Sequence, residues 1–162
     1  MPTPDDAALL LDVMLGKLAT YLRMCGYDTA YALDRDIEAD PRLRELAREE
    51  GRTLLTRDVD LARTTDGALV LCERTIEGQL TELLEAGFSL DLDEPVRCSI
   101  CNGLLREVAR GEETPPFAPS PAERPVWRCR DCGQPFWRGS HWRDVESTLE
   151  SARERRETYR HD

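Results

Sequence analysis

The chain has 162 residues, of which 40% are apolar, enough for one domain of ordinary size or one domain with a small appendage. Its 32 acidic residues outnumber 22 basic ones, and a net charge of −10 argues against a purely electrostatic nucleic-acid binder. The longest apolar run, residues 7–11, is far too short to span a membrane, and the N-terminus lacks the basic start of a secretory signal, so we expect a cytoplasmic protein without membrane contact.

The charges are unusual in type and in distribution. Lys17 is the single lysine, and all other basic residues are arginine. An acidic, arginine-rich composition is typical of a halophilic protein in a salt-rich cytoplasm, although a GC-rich genome would also replace lysine by arginine. Residues 1–95 carry a net charge of −11, whereas residues 96–144 carry +2. This contrast predicts a domain boundary, which we place between residues 93 and 94.

The first predicted domain, residues 1–93, alternates short apolar runs with helical patterns. The runs predict four strands, at residues 8–12, 27–32, 53–56 and 68–72. Helices are predicted from residue 15 to Gly26, from Asp40 as N-cap to Gly51, and over residues 76–86. Strands alternating with helices at this spacing indicate an α/β fold, with a parallel sheet sandwiched by helices.

The second predicted domain, residues 94–162, has a different character. Five prolines between Thr114 and Pro125 exclude a helix there and predict an exposed, irregular tip. The end of the chain, residues 142–156, predicts a polar helix that docks along a thin apolar seam of Trp142, Val145 and Leu149.

Two Cys-x-x-Cys pairs flank the proline-rich tip. A two-residue gap lets both thiolates of one pair reach the same ion, and a second pair completes a tetrahedral site that suits structural Zn²⁺. A redox-active dithiol is the alternative, but it normally needs one pair at a helix start. The expected zinc ligands are Cys98, Cys101, Cys129 and Cys132. Cys25 and Cys72 each end an apolar run and are expected to be buried thiols.

Three aspartates stand where an α/β fold places its functional sites. Asp12 and Asp58 each follow a predicted strand, and Asp40 begins the helix before the strand that leads to Asp58. If these strands are neighbours, the three carboxylates meet at the carboxyl edge of the sheet, where they repel one another unless a hard divalent cation lies between them. Oxygen ligands with open water positions favour Mg²⁺ or Mn²⁺.

A purely structural interpretation of these acids remains open. Asp40 is a suitable N-cap before Pro41, and Asp58 with Asp60 suits the cap of a short helix at residues 59–61. Asp12 is the hardest to explain in this way. A phosphatase of the haloacid type would need an acid two residues after Asp12, where Met14 stands.

Several blocks together resemble one known family. The segment from Leu11 to Asp28, the block Gly51-Arg-Thr-Leu-Leu-Thr-Arg-Asp58, both cysteine pairs with Asn102 and Gly133, and Gly139-Ser-His-Trp142 are similar to the Mut-seven C-terminal RNase domain. Members are PIN-like ribonucleases followed by a zinc ribbon. The resemblance implies a PIN-like fold and a metal-dependent ribonuclease that hydrolyses RNA phosphodiester bonds. It extends over almost the whole chain.

The resemblance also implies roles for particular residues. Asp12, Asp40 and Asp58 match the acids that bind catalytic Mg²⁺ or Mn²⁺, and Thr56 would orient a carboxylate or a water. The family pattern has a further acid on an early helix without a clear equivalent here, and Asp36 or Asp60 is the candidate substitute. RNA contacts are expected from Lys17, Arg57, Arg128 and Arg138. The last two belong to an aromatic and arginine cluster whose composition suits either unpaired bases or packing around the zinc site: Trp127, Arg128, Arg130, Phe136, Trp137, Arg138, His141, Trp142 and Arg143. Within this cluster we assign Trp127 and Trp137 to packing and the arginines to RNA.

The sequence-based hypothesis is therefore a Mg²⁺- or Mn²⁺-dependent ribonuclease with a structural zinc ribbon that aids RNA binding. The rival hypothesis is a non-catalytic RNA- or ribosome-binding adaptor in which the acids are vestigial and the ribbon makes the contacts. The sequence leaves the oligomeric state and the RNA substrate open.

Overall fold

A four-stranded parallel sheet forms the centre of the first part of the chain. The computed structural model describes residues 2–161, and the side chains of residues 2–158. The strands are β1 (Ala8–Leu11), β2 (Asp28–Tyr31), β3 (Thr53–Thr56) and β4 (Leu69–Val70), in the order β2-β1-β3-β4. Leu9 pairs with Thr29 on one side and Thr53 on the other, so β1 is central. All four lie where the apolar runs predict them.

Helices cover both faces of this sheet, which confirms the predicted α/β sandwich. They are α1 (Gly16–Met24), α2 (Asp40–Glu50), a short α3 (Val59–Arg63), α4 (Ile76–Glu85) and the long C-terminal α5 (Ser140–His161). Single 3-10 turns at Val13–Leu15 and Ala32–Arg35 follow β1 and β2.

The two faces of the sheet bury separate apolar clusters. Leu9 and Leu11 of β1 point to α1, α4 and α5, whereas Leu10, between them, points to α2 and α3. This alternation follows from the two-residue period of a strand. Because both faces are covered, β1 reads as a continuous run of leucines.

The second part of the chain is a small antiparallel sheet with α5 behind it. Strands β5 (Leu105–Glu107), β6 (Trp127–Cys129) and β7 (Pro135–Phe136) pair in that order. No helix or strand lies between Glu107 and Trp127, as the five prolines predict. No described helix is long and apolar enough to cross a membrane.

The C-terminal helix docks through the predicted seam and reaches beyond it. Trp142, Val145 and Leu149 are buried, and Ala152 extends the same stripe. Val145, Leu149 and Ala152 belong to the apolar cluster under α1 and α4. The end of the chain therefore contributes to the core of the first part, although the boundary at residues 93 and 94 stays a prediction.

Candidate functional site

Asp12 lies at the carboxyl end of β1, and its carboxylate is only 5% exposed. One carboxylate oxygen accepts from the Val13 backbone N–H at 2.8 Å, so Asp12 caps the 3-10 turn that follows. The other accepts from the Thr56 hydroxyl at 2.7 Å. Thr56 ends β3, the neighbouring strand, and is itself fully buried. The adjacent ends of two parallel strands thus hold one buried carboxylate in place.

Asp58 is connected to Asp12 through the same hydroxyl. The Asp58 backbone N–H donates to Thr56 Oγ1 at 3.0 Å. Asp58 Oδ1 accepts from the backbone N–H groups of Asp60 and Leu61 at 3.0 and 3.1 Å, and caps α3. The capping interpretation is therefore realised for one oxygen. Within the described residues the other oxygen, Oδ2, makes no hydrogen bond, so it faces no competing donor.

Asp40 is the first residue of α2, but it does not cap that helix. Ala39 is the N-cap residue and makes no side-chain capping bond, so the N-cap assignment for Asp40 was wrong. Asp40 is exposed and makes no side-chain hydrogen bond in the described part of the chain. Because α2 runs back to β3 through Gly51, its first residue lies towards the carboxyl edge of the sheet, as do Asp12 and Asp58.

The three aspartates share an edge of the sheet without forming a closed set of ligands. Among the described residues, their oxygens do not form a group within 4.8 Å of one another. Asp36, in a left-handed turn at φ 54°, and Asp60 on α3 are exposed and do not complete such a group either. The donors are oxygens of the kind that Mg²⁺ and Mn²⁺ prefer, and Mg²⁺ commonly keeps several waters while using one or two carboxylates. The donor types therefore suit a partly hydrated cation.

The four paired cysteines form a compact sulfur site. The Sγ atoms of Cys98, Cys101, Cys129 and Cys132 lie within 4.8 Å of one another, and all four are free thiols. Cys98 and Cys132 are 3.7 Å apart, and Cys101 and Cys129 are 3.5 Å apart. Four sulfurs at the ~2.3 Å Zn–S distance of a tetrahedral site lie ~3.8 Å apart. The residues therefore fit a structural zinc ion.

The backbone around the sulfurs favours thiolates. Backbone N–H groups of Asp131 and Cys132 each donate to Cys129 Sγ at 3.4 Å. Burial raises the pKa of Cys129, but these N–H groups, together with the side chains of Cys101 and Cys132, outweigh burial and bring that pKa to about 7. Burial raises the pKa of Cys98 to about 12, so this thiol needs a cation to ionise. Gly103 lets the loop of the first cysteine pair approach Cys129 of the second pair, since a Cβ at residue 103 would come within 2.8 Å of Cys129 Sγ.

Arg23 fastens the first cysteine pair to the sheet. Its guanidinium, 4% exposed, donates to the carbonyls of Ser99 and Ile100 between the two cysteines and to the carbonyl of Thr29 on β2. It also pairs with Asp34 at 3.3 Å. Arg23 is buried because the loop between Cys98 and Cys101 packs over α1.

Asn102 makes the second connection between the same elements. Its side-chain oxygen accepts from the Thr29 backbone N–H at 2.9 Å, and its amide donates to Asp28 at 2.7 Å. Burial raises the pKa of Asp28, but donation from Asn102 and Arg52 outweighs burial and holds that pKa below its ordinary value. The ribbon is thus joined to β2 through side chains that hydrogen-bond its backbone.

The four residues expected to bind RNA are not brought together in one cluster. Lys17 is exposed on α1, and Arg57 is half-buried beside the Asp58 site with a buried, unbonded Nε. Arg128 donates to the Glu113 carbonyl at 3.3 Å. Arg138 is exposed and lies over the rings of two tryptophans, 5.4 Å from Trp127 and 5.7 Å from Trp142.

The two unpaired cysteines differ in exposure. Cys25 is buried, as expected, and burial is the main cause that raises its pKa to about 12. Cys72 is exposed, so the expectation of a buried thiol was wrong there. The strand before it ends at Val70, two residues earlier than the apolar run suggests, and Cys72 follows in an irregular segment.

Sequence reasoning missed Tyr31, whose hydroxyl donates to the Val13 carbonyl at 2.6 Å. This bond fastens β2 to the segment that follows Asp12. Tyr31 also lines a cavity of about 620 Å³ between α1 and the ribbon, here called the interdomain cleft. Its place at the end of a strand, next to the strand carrying Asp12, was the available signal.

Comparison with known proteins identifies one family. The family model described as the Mut7-C RNAse domain matches residues 7–149, which covers the parallel sheet, both cysteine pairs and the first half of α5. No curated protein and no solved structure matches significantly.

Proposed function

The chain belongs to the Mut7-C RNAse domain family, and we propose that it hydrolyses RNA with a Mg²⁺ or Mn²⁺ ion held by aspartates at the carboxyl edge of its parallel sheet. Family membership indicates a ribonuclease and implies RNA as its substrate. The metal requirement and the assignment of Asp12, Asp58 and Asp40 as its ligands are our proposal.

One observation carries this proposal. The residue Asp12 is 5% exposed, yet within the described residues no basic side chain hydrogen-bonds its carboxylate, and its partners are the Thr56 hydroxyl and the Val13 N–H. A buried carboxylate without a paired cation is costly, and an acid in such a setting is a candidate for a functional site. A divalent cation bound at the open side of Asp12 offsets this cost.

Each residue then has a definite task. Thr56 donates to the Asp12 carboxylate and accepts from the Asp58 backbone N–H, so it connects the two residues. Asp58 presents its unbonded oxygen, and Asp40 supplies a ligand at the start of α2. We assign to Arg57 a contact with the phosphate. A bound Mg²⁺ or Mn²⁺ supplies a water of lowered pKa and positive charge to stabilise the reacting phosphate.

The zinc site has a structural task in this proposal. Four cysteines leave no open position on a tetrahedral ion, so zinc holds the ribbon together and takes no part in hydrolysis. The ribbon contributes RNA contacts through Arg128 and Arg138, and Lys17 contributes from α1. Unoxidised thiols suit the cytoplasm, and the acidic composition leads us to expect activity at high salt.

Cleavage of a labelled RNA pool by the zinc-loaded protein tests the proposal. We expect cutting with added Mn²⁺ or Mg²⁺, none without it, and a loss of at least about a hundred-fold in Asp12→Asn. Asp66→Asn is the matched control, because Asp66 is an exposed aspartate in the turn before β4 and should cut normally.

The opposite outcome would favour the rival hypothesis of a non-catalytic RNA-binding adaptor. If RNA binds both the parent protein and Asp12→Asn, and neither cuts it at any metal concentration, the nuclease proposal is wrong and the chain is a non-catalytic RNA-binding protein.

A further inference from the structure

The interdomain cleft lies between α1 and the ribbon, and nothing described so far assigns it a ligand. Its volume of about 620 Å³ is in the range of small-molecule sites. Gly16, Thr20 and Met24 of α1 form one wall, and the ribbon with the start of α5 forms the other. Ile100 and Phe117, 57% and 65% exposed, stand on the ribbon side.

The lining is dominated by rings. Aromatic and imidazole side chains reach it from β2, from the proline-rich tip, from β7 and from the start of α5. They are Tyr31, Phe117, Phe136, Trp137, His141 and Trp142. Rings gathered from four separate elements give a planar ligand surfaces to stack on, and stacking on aromatic side chains is how proteins hold unpaired bases.

Trp137, assigned to packing from the sequence, lines the cleft and stays partly accessible there. It is half-exposed, and a Cβ at Gly139 would come within 2.6 Å of its indole nitrogen. A glycine at residue 139 is therefore what lets this ring fold back against the chain beside the cleft.

Hydrogen-bonding groups lie beside these rings without protein partners. In the part of the chain that the structure describes, the side chains of Gln134, Ser140 and His141 line the cleft and make no hydrogen bond. Arg23 and Asp34, at the α1 side, are already paired with each other. The open donors and acceptors are thus at the ribbon side, where they can meet the edge of a stacked base.

Two lining residues, Gly16 and Tyr31, connect the cleft with the segment that follows Asp12. Gly16 lies four residues after Asp12, and Tyr31 donates to the carbonyl of Val13, the residue next to Asp12. A base held in the cleft therefore brings its strand alongside the segment that carries the buried carboxylate.

The distribution of net charge also favours a nucleic-acid strand along the ribbon side of the cleft. Residues 1–95 carry −11 and repel a polyanion, whereas residues 96–144, which form the ribbon wall, carry +2. Arg97 lines the cleft, and Arg138 lies over the Trp142 ring. A phosphate chain is least repelled along this wall.

We propose that the interdomain cleft binds an unpaired nucleobase of single-stranded RNA, with Trp137 as the stacking platform. This inference rests on the proposed function, because it names the part of the RNA that the ribonuclease recognises. It makes the substrate single-stranded at the nucleotide held in the cleft.

Binding measured apart from cleavage tests this proposal. The zinc-loaded Asp12→Asn protein, without added Mg²⁺ or Mn²⁺, is titrated into a labelled hexauridylate and into a labelled RNA duplex, with anisotropy and tryptophan fluorescence as readouts. We expect the single strand to bind and quench tryptophan fluorescence, and the duplex to bind at least about ten-fold more weakly.

Three variants in the same background locate the site. Trp137→Ala should weaken hexauridylate binding by about ten-fold or more, whereas Trp137→Phe keeps a ring and most of the affinity. Thr20→Glu places a carboxylate in the opposite wall on a helix that accepts glutamate readily, and should also weaken binding. Leu104→Ala, an exposed apolar residue of the ribbon outside the cleft, is the control and should bind normally. Zinc content and circular dichroism verify that each variant is folded.

The outcomes separate this proposal from the nuclease proposal. Equal affinities for folded Trp137→Ala, Thr20→Glu and Leu104→Ala would overturn the cleft proposal, even if the parent protein cuts RNA. Ring-dependent binding without any cutting would support the cleft and count against the nuclease. If RNA does not bind and the chain self-associates in a Trp137-dependent way, the cleft is a protein interface and the proposal is wrong.

Discussion

At the scale of single residues, the arrangement at the sheet edge depends on one hydroxyl group. The Thr56 hydroxyl donates a hydrogen bond to the Asp12 carboxylate and accepts one from the Asp58 backbone N–H, so one oxygen contacts both residues. Both Thr56 and Asp12 are buried. Removal of the hydroxyl leaves Asp12 with the Val13 N–H as its remaining hydrogen-bond partner among the described residues.

Replacing this hydroxyl by a methyl group tests its role. Thr56→Val keeps the shape of the side chain, and we expect the free energy of unfolding to fall by about 1–3 kcal/mol because a buried carboxylate loses a donor. RNA cleavage should fall as well, since the carboxylate is no longer held in one orientation. Thermal unfolding and the cleavage assay measure the two effects.

Thr53→Val is the matched control, as Thr53 begins the same strand and its side chain makes no hydrogen bond among the described residues. If both valine variants unfold at the same temperature, the Thr56 hydroxyl does not support Asp12.

At the scale of elements, the two zinc-binding loops have the same backbone but different attachments. Asn102 and Gly133 each follow the second cysteine of a pair, at φ 73° and 78°. Gly133 has open space around it, whereas Asn102 uses its amide to bond Thr29 and Asp28 of β2. The left-handed turn is thus required in both loops, and the side chain is required in only one.

Exchanging the residue types at these two positions separates the effect of the left-handed turn from the effect of the side-chain bonds to β2. Asn102→Gly keeps the left-handed backbone, so any loss is due to the amide. We expect a loss of about 1–3 kcal/mol of stability and faster zinc release to a chromogenic chelator, because the loop is no longer fastened to β2.

Gly133→Asn is the reciprocal control, because asparagine tolerates this φ and meets no neighbour, so stability and zinc release should change little. Equal zinc release from the parent protein and Asn102→Gly would show that the Asn102 contact does not hold the zinc site.

At the scale of the whole molecule, the ribbon and α5 attach to the parallel sheet and its helices by different kinds of contact. The ribbon contacts the sheet through polar groups, chiefly Arg23 and Asn102. The helix that follows it enters the apolar core through Val145, Leu149 and Ala152. We therefore expect loss of zinc to loosen the ribbon while the α/β core keeps its packing.

Thiol labelling before and after zinc removal tests this expectation. With zinc bound, iodoacetamide should label Cys72 alone, because it is exposed and lies outside the zinc site. After chelation, mass spectrometry should find Cys72 and the four ligand cysteines labelled. Cys25 should stay unlabelled while the α/β core persists, because burial raises its pKa to about 12.

The variant Cys72→Ser should lose one label in each state, which identifies the signal. Labelling of Cys25 after chelation would show instead that the core opens with the ribbon.

The sequence predicted the parallel sheet and its main helices because each strand and helix has its own apolar period. It predicted the zinc ligands because their spacing is determined within each loop. The burial of Arg23 was missed for the opposite reason, since its partners Ser99 and Ile100 lie over 70 residues away and no local pattern shows the contact. Cys72 was misjudged because an apolar run does not show where a strand stops pairing.

The attachment of the ribbon has a consequence for solubility. Strand β2 is an edge strand of its sheet, and the backbone N–H and carbonyl of Thr29 point away from β1, towards the side chains of Asn102 and Arg23. Asn102 accepts its N–H and Arg23 donates to its carbonyl, so both groups are occupied by side chains. Unpaired groups on such an edge invite pairing with another chain and aggregation. The loop of the first cysteine pair therefore also protects the edge of β2 from pairing with another chain. The zinc-free protein should be prone to intermolecular strand addition at β2.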